Sequence, residues 1–190
     1  LAGDDIYDDL IGTSVVRLYE RLNHWLKSNW KFQARKNISY HYDLGNQFYR
    51  EWLDKTMTYS SALFKNKKEV LSSAQTNKYE SICKNLNLKE GDSVLEIGCG
   101  WGGFAEHAIK TRGVKLTGLT LSKEQLDYSK KRMFELGMAD KSSFLLQDYR
   151  DEKGVYDGVV SIEMFEAVGE KYWPIYFKTI KNSLKSGGLG

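Results

Sequence analysis

A glycine-rich turn after a short apolar run is the part of this sequence best suited to bind a small molecule. Residues 94–103 read VLEIGCGWGG, which places Glu96 two positions before the alternating glycines Gly98, Gly100 and Gly102. Glycine lets the backbone turn sharply and approach a ligand where a Cβ would clash. A helix predicted to begin near Gly102 would direct its free N–H groups at the same ligand. The spacing therefore predicts a site for a nucleotide-type cofactor.

Two cofactor classes use such a turn, and the second predicted strand separates them. Gly98, Gly100 and Gly103 satisfy the dinucleotide pattern G-x-G-x-x-G, which also needs an acidic residue about 20 positions later to hold the ribose. Residues 114–122 read VKLTGLTLS and end without an acid. The run that starts at Glu96 has the spacing E-x-G-x-G-x-G, which resembles the first motif of class I S-adenosylmethionine (SAM) methyltransferases. We therefore favour SAM over a nicotinamide cofactor.

Composition limits the class of protein further. The 190 residues can form a domain with a sizeable core, and 41% hydrophobic with 28% charged residues is ordinary for a soluble chain. A net charge of +3 does not predict nucleic-acid binding. Cys83 and Cys99 provide no disulfide framework, and no apolar run reaches about 18 residues. No metal-ligand spacing is present, so we predict no metal site. The cysteine usage suits a reducing compartment, and we therefore expect a cytoplasmic protein.

The elements that must position the turn alternate between strand and helix patterns. The predicted strands cover 93–97, 114–119, 142–146 and 156–162, and the predicted helices between and after them cover 102–112, 122–137 and 170–185. Ser122 followed by Gln125 predicts a capping box. This alternation predicts an α/β fold, a parallel sheet with crossover helices whose ligand lies beyond the carboxyl ends of the strands. Because the sequence ends where a fifth strand should begin, we expect the C-terminal strands to be absent from this chain, as part of a longer polypeptide.

The N-terminal third is predicted to be helical and distinct from the sheet domain. We place the boundary so that residues 1–66 form a helical segment over the cofactor and substrate site, and residues 67–190 form an incomplete SAM-binding domain. Helices are predicted over 11–32, 44–54 and 68–86 from their apolar periodicity. The first carries a basic face, so it either docks on the protein body or lies on an anionic bilayer surface.

Five further segments carry a family resemblance. They are YHYDLGNQFY at 40–49, MTYSSA at 57–62, GLTLSKEQ at 118–125, QDYRD at 147–151 and MFEAVG at 164–169. Together with the glycine turn they resemble the cyclopropane-fatty-acyl-phospholipid synthases and the related mycolic acid cyclopropane synthases. The resemblance extends from about Asn37 to Gly190, and it implies a Rossmann-like class I methyltransferase fold.

The resemblance implies a role in cofactor binding for several positions. Gly98, Gly100 and Gly102 would face the methionine portion of SAM, with Glu96 near its ammonium group or shaping the loop. The positions implied for the rest of the cofactor are Tyr59 and Ser60 over its carboxylate, Thr120, Leu121 and Gln125 on the ribose and adenine side, and Asp148 and Tyr149 flanking the adenine.

The implied reaction also needs catalytic groups. An alkene of an acyl chain takes the methyl group, and the resulting cation loses a proton from that methyl group as the ring closes. Such a site must exclude water, tolerate a cation and supply a base. Tyr42 would face the cation. The resemblance implies a bound bicarbonate as the base, with Cys99 and Glu166 among the groups that hold it.

Alternatives to these roles stay open. Cys99 could simply pack inside the turn, and Glu163 could be the inward-facing acid in place of Glu166. The family usually has a histidine where this chain has Ala167. The expected partner is an unsaturated phospholipid at the inner membrane surface, with no nucleic acid and a possible homodimer. Other possible functions are SAM-dependent methylation of another acceptor, as methyl branching or N-methylation, and a non-catalytic SAM-binding module.

Overall fold

The computed structural model describes residues 45–190, in which a parallel sheet is covered by helices. The strands are β1 (Ser93–Ile97), β2 (Lys115–Thr120), β3 (Ser142–Leu146), β4 (Tyr156–Ser161) and β5 (Leu184–Leu189). The helices are α1 (Gly45–Arg50), α2 (Leu71–Asn85), α3 (Gly103–Arg112), α4 (Lys123–Glu135) and α5 (Trp173–Asn182). The strand order is β3-β2-β1-β4-β5, and every pairing is parallel. The predicted α/β fold is confirmed.

The central strand β1 carries apolar side chains on both faces of the sheet. Val94 packs with the core that includes α2 and α3, and Leu95 packs with Leu119 and Val159 on the other face. Successive side chains of a strand point to opposite faces, so a strand covered on both sides reads as a continuous hydrophobic run. The carboxyl end of β1 therefore lies in the middle of the sheet, between β2 and β4.

The expectation that the chain ends before a fifth strand is wrong. Residues 184–189 form β5, which pairs with β4 from Tyr156↔Leu184 to Gly158↔Leu189. Helix α5 ends at Asn182 and is shorter than the 170–185 prediction. The run LKSGGL lacks the hydrophobic alternation that marks a strand, and its residues are half-buried or exposed. Pairing with β4, not apolar patterning, places it in the sheet, and β4 is consequently not an edge strand.

Helix α4 begins after Ser122 as predicted, but the predicted capping box forms only in part. The Oγ of Ser122 accepts a hydrogen bond from the Gln125 N–H at 3.2 Å. The Gln125 side chain does not return to the Ser122 N–H. Instead, Thr120 Oγ1 donates to Gln125 Oε1 at 2.8 Å and accepts from the Ser122 N–H at 3.1 Å. A hydroxyl at the end of β2 is thereby tied to the first turn of α4.

The N-terminal predictions are only partly covered. Helices α1 and α2 lie within the predicted ranges 44–54 and 68–86, and both are shorter. The predicted helix over 11–32 and Tyr42 lie outside the described residues, and the domain boundary at residue 66 stays a prediction. None of the helices within residues 45–190 combines the length and the apolar character needed to cross a bilayer.

Candidate active site

A cavity opens beyond the carboxyl ends of the strands, where ligands of such sheets bind. The volume of the cavity is about 220 Å³. Its wall is built from Met57–Ser60 before α2, the glycine turn after β1, the end of β2, Gln147 and Tyr149 after β3, and Ile162–Met164 after β4. Segments far apart in the sequence therefore share one site.

The glycine turn adopts backbone conformations that favour glycine. Gly98, Gly100 and Gly102 have φ angles of 81°, 52° and 80°. At Gly100 a Cβ would meet nothing within 4 Å, because this position borders the open cavity. At Gly102 it would lie 3.3 Å from Ser129 Oγ of α4. Gly98 and Gly100 thus line the cavity, whereas Gly102 allows α4 to pack close and is not among the lining residues.

Glu96 is the buried acid of the site. Its residue is only 3% exposed, and no described residue bonds its Oε2 atom. Burial raises the pKa of the Glu96 carboxyl well above its usual range, partly opposed by the charge of Arg132. Arg132 itself is bound to Glu106, with Nη2 2.6 Å from Oε2. A buried carboxyl with an unbonded oxygen on the cavity wall fits a cationic group of a ligand, such as the ammonium of an amino acid.

The cavity wall at the end of β2 carries neutral residues. Thr120 and Gln125 are buried and hydrogen-bonded to each other, and both line the cavity with Leu121. Asp148, predicted to flank the adenine, binds Arg150, with Nε at 2.8 Å and Nη2 at 2.6 Å from its carboxylate oxygens. Its carboxylate also caps a short 3₁₀ turn, and it is not among the lining residues.

Gln147 and Tyr149, on either side of that aspartate, are the wall residues after β3. Tyr149 was predicted to flank the adenine, whereas Gln147 was not predicted as a site residue. The ring of Tyr149 lies edge-on to Tyr176 of α5, with 5.5 Å between centroids. This contact fixes the orientation of an aromatic face at the cavity.

Of the two candidates for holding bicarbonate, only Cys99 lines the cavity. Cys99 is buried on the cavity wall, and burial, with a smaller contribution from Glu96, raises the pKa of its thiol well above the usual range. A neutral thiol of this kind suits a lining role and not a nucleophile. Glu166 is exposed on the 3₁₀ turn Phe165–Ala167 and does not line the cavity. Glu163, the alternative acid, does line it.

The apolar part of the cavity wall includes residues that were not predicted from the sequence. Trp101 is buried against Tyr49, with ring centroids 4.8 Å apart, and packs with Met57. Its Nε1 donates to Asn46 Oδ1 at 2.6 Å, so the aromatic-rich segment around α1 is held to the glycine turn. The signal in the sequence that could have identified Trp101 is its position between two glycines of the predicted binding loop. Further apolar lining residues of this kind include Ile97, Phe104, Leu119, Ile162 and Met164.

The strand order and the cavity beside the glycine turn are those of the Rossmann-like fold of class I SAM-dependent methyltransferases. The chain belongs to the mycolic acid cyclopropane synthetase family, whose profile matches residues 29–189. The predicted family resemblance is confirmed.

Individual relatives support this assignment. The chain is 43% identical over 165 residues to a probable fatty acid methyltransferase of Pseudomonas putida, which covers 86% of this chain and 42% of the relative. It is 42% identical over 149 residues to the cyclopropane-fatty-acyl-phospholipid synthase of Escherichia coli strain K12, which covers 78% of this chain and 38% of the relative. Mycolic acid cyclopropane synthase CmaA1, complexed with SAH and CTAB, matches with a TM-score of 0.77 and 32% identity, over 80% of this chain and 53% of that chain. The chain thus spans about two fifths of the curated relatives.

Proposed function

We propose that this chain binds SAM and takes part in methyl transfer to the double bond of an unsaturated phospholipid acyl chain, forming a cyclopropane ring. The observation that carries the proposal is the cavity wall on which the glycine turn and the unbonded carboxyl oxygen of Glu96 lie beside an apolar aromatic surface. Membership of the mycolic acid cyclopropane synthetase family supports the same chemistry.

The cavity residues divide between the parts of the cofactor. Glu96 would hold the ammonium group, while Tyr59 and Ser60 would lie over the carboxylate. Thr120 and Gln125 offer neutral hydrogen-bonding groups to the ribose side. The ring of Tyr149 would flank the adenine. When bound, SAM supplies a methyl group on a sulfonium, which an electron-rich alkene can accept.

The apolar wall supplies the conditions that an alkene acceptor needs. Met57, Trp101 and Met164 would exclude water from the acyl chain, and the aromatic face of Trp101 would tolerate positive charge on it. A proton must then leave the added methyl group for the ring to close. Of the two residues to which the resemblance assigns bicarbonate binding, Cys99 lines the cavity and Glu166 does not. Bicarbonate therefore stays a prediction.

The test uses the complete protein that carries this sequence, incubated with SAM and vesicles of unsaturated phospholipid. We expect the acyl chain to gain the mass of one CH₂ group while the alkene signals disappear from its proton spectrum. Binding of S-adenosylhomocysteine (SAH) to the 190-residue chain, measured by calorimetry, checks the cofactor site separately. Unchanged lipid together with SAH binding would contradict the substrate but leave the cofactor site standing. Association with the inner membrane surface and homodimer formation are proposals that vesicle sedimentation and light scattering test.

A second candidate is methylation without ring closure. It is favoured by the similarity to the probable fatty acid methyltransferase of Pseudomonas putida, at 43% identity. A methylene product would also gain one CH₂ group but would keep an alkene signal, and N-methylation of a small amine would leave the lipid untouched. A non-catalytic SAM-binding module would bind SAH and yield no product with any of these acceptors.

A further inference from the structure

The rim of the cavity contains a contact between two segments that are far apart in the sequence. Glu163 lies in the loop after β4, and Ser61 lies 102 positions earlier. The Glu163 Oε1 atom accepts hydrogen bonds from the Ser61 N–H at 2.8 Å and from the Ser61 hydroxyl. Glu163 lines one side of the cavity. Tyr59 and Ser60, which precede Ser61 in the sequence, line the other side. The carboxylate therefore bridges two walls of the same site.

The backbone at Glu163 supports a specific role for this side chain. Its φ angle is +48°, in the left-handed region that residues with a Cβ rarely adopt. Such a conformation is unfavourable by itself and persists where surrounding contacts hold it. Neighbouring Met164 also lines the cavity, so the same turn directs both side chains to the site. The contacts of the carboxylate with Ser61 help to hold this turn.

Helix α2 holds the same segment from the other side. Gln75 Nε2 donates to the Ser60 carbonyl at 2.8 Å, and Lys78 Nζ donates to Ser60 Oγ at 2.5 Å and to the Ser61 carbonyl at 2.7 Å. Burial lowers the pKa of Lys78 to about 8, and the negative charge of Glu163 opposes this shift. The segment is thus fixed on α2 and reaches the loop after β4 through Glu163.

We propose that Glu163 is a positioning residue, whose carboxylate ties Ser61 to the loop after β4 and so keeps Tyr59 and Ser60 in place over the bound cofactor. The inference rests on the proposed cofactor site. It assigns Glu163 no part in the transfer of the methyl group or of the proton. Without the bridge, the wall formed by Tyr59 and Ser60 would open more readily, and the cofactor would dissociate faster.

The test compares SAH binding by the wild-type 190-residue chain, Glu163→Ala and Glu163→Gln. We expect Glu163→Ala to bind SAH about tenfold more weakly, mainly through faster dissociation, because hydrogen bonds to a charged acceptor are lost. Glu163→Gln keeps an oxygen that can accept from Ser61 and should recover affinity to within about threefold of the wild type. Glu170→Ala is the matched control, since Glu170 is an exposed acid farther along the same loop. It should bind as the wild type does.

Two further measurements separate positioning from a general loss of structure. In the ligand-free protein, the Ser61 amide should exchange hydrogen faster in Glu163→Ala, while amides of β1 keep their protection. Ser61→Ala should weaken binding in the wild-type background and have little further effect in Glu163→Ala, which shows that the two residues act together. Equal SAH affinity and dissociation rate in wild type and Glu163→Ala would overturn this inference alone. A wild-type chain that does not bind SAH would overturn the proposed function and this inference with it.

Discussion

At the scale of single residues, the site depends on an acid that is costly to bury. Glu96 lies in β1, almost fully buried, with an oxygen that no described residue bonds. Burial disfavours the ionised form of such a carboxyl, and a bound cation offsets that cost. In the proposed cofactor site, Glu96 would thus lower the stability of the ligand-free protein and raise its affinity for an ammonium group.

Replacing Glu96 with glutamine separates these two effects. Glu96→Gln keeps the shape of the side chain and removes its ability to ionise. We expect the free energy of unfolding of the ligand-free protein to stay within about 1 kcal/mol of the wild type or to increase, because the buried acid is lost. Affinity for SAH should fall at least about tenfold, because its ammonium loses a charged partner. Urea denaturation and calorimetry check the two outcomes, and a variant that loses stability but keeps affinity would contradict this role.

At the scale of elements, β5 joins the sheet through polar contacts that its sequence pattern does not reveal. The carboxylate of Asp157 in β4 accepts hydrogen bonds from the Ser93 N–H at 2.8 Å and the Ser93 hydroxyl at 2.7 Å. The same oxygen lies 2.8 Å from Lys185 Nζ of β5. These contacts hold the pKa of Asp157 well below its usual range, and the contact with Lys185 contributes most. One side chain therefore connects β1, β4 and β5.

Removing this charge should change the dependence of stability on pH. A carboxyl whose pKa is lower in the folded than in the unfolded state stabilises the fold above its unfolded pKa, about 3.9 for Asp, and loses that contribution as pH falls toward the folded value. We expect Asp157→Asn to lower the free energy of unfolding by about 1 kcal/mol at pH 7, a value reduced for partial solvent exposure. The difference from wild type should shrink below about pH 4. Denaturation at several pH values measures this, and a difference independent of pH would argue against the charge.

Packing between neighbouring strands gives a second prediction at this scale. A Cβ at Gly118 in β2 would lie 2.7 Å from Phe144 Cδ1 and 2.9 Å from Cys99 Cβ. Gly118→Ala should therefore lower the free energy of unfolding by about 1–3 kcal/mol through overpacking. Ser143→Ala, at an exposed position of β3, is the control and should stay within about 0.5 kcal/mol of wild type. Thermal unfolding measures both variants, and a Gly118→Ala protein as stable as wild type would mean that the ring of Phe144 moves aside freely.

At the scale of the whole molecule, the cavity joins segments from most of the described chain. The residues of its wall range from Met57 to Ala167 in the sequence. A bound cofactor would therefore contact segments from the early and the late part of the described chain. Ligand binding to the folded state alone stabilises it by mass action. The cofactor is accordingly expected to stabilise the folded chain by binding to several of these segments at once.

Stabilisation by SAH tests this view. At 100 times its dissociation constant, SAH should add about 2.7 kcal/mol to the free energy of unfolding. For a chain of this size, that corresponds to a rise of roughly 5–10 °C in Tm. Methionine alone, which lacks the adenosine portion, should produce a smaller rise at the same concentration. Differential scanning calorimetry provides the measurement, and an unchanged Tm at saturating SAH would contradict a cofactor site in this cavity.

Local sequence was sufficient for much of the fold and part of the site. The predicted strands over 93–97 and 142–146 agree with β1 and β3 residue for residue, and Ser122 caps α4 as expected. The reason is that apolar periodicity and capping act between residues a few positions apart. The turn with Gly98 and Gly100 at the cavity belongs to this class too, because backbone conformation is decided locally.

Tertiary structure alone decided which polar residues reach the cavity. Glu163, which contacts Ser61 102 positions earlier, lines the cavity, whereas Glu166 does not. Gly102 lies against Ser129 of α4 and does not line the cavity. Strand β5 likewise depended on its partner strand and not on its own pattern. The sequence by itself determined the strand–turn–helix unit and the type of cofactor site. The residues that surround this unit are brought to it by contacts between positions about a hundred residues apart in the sequence. Those contacts exist only once the chain has folded.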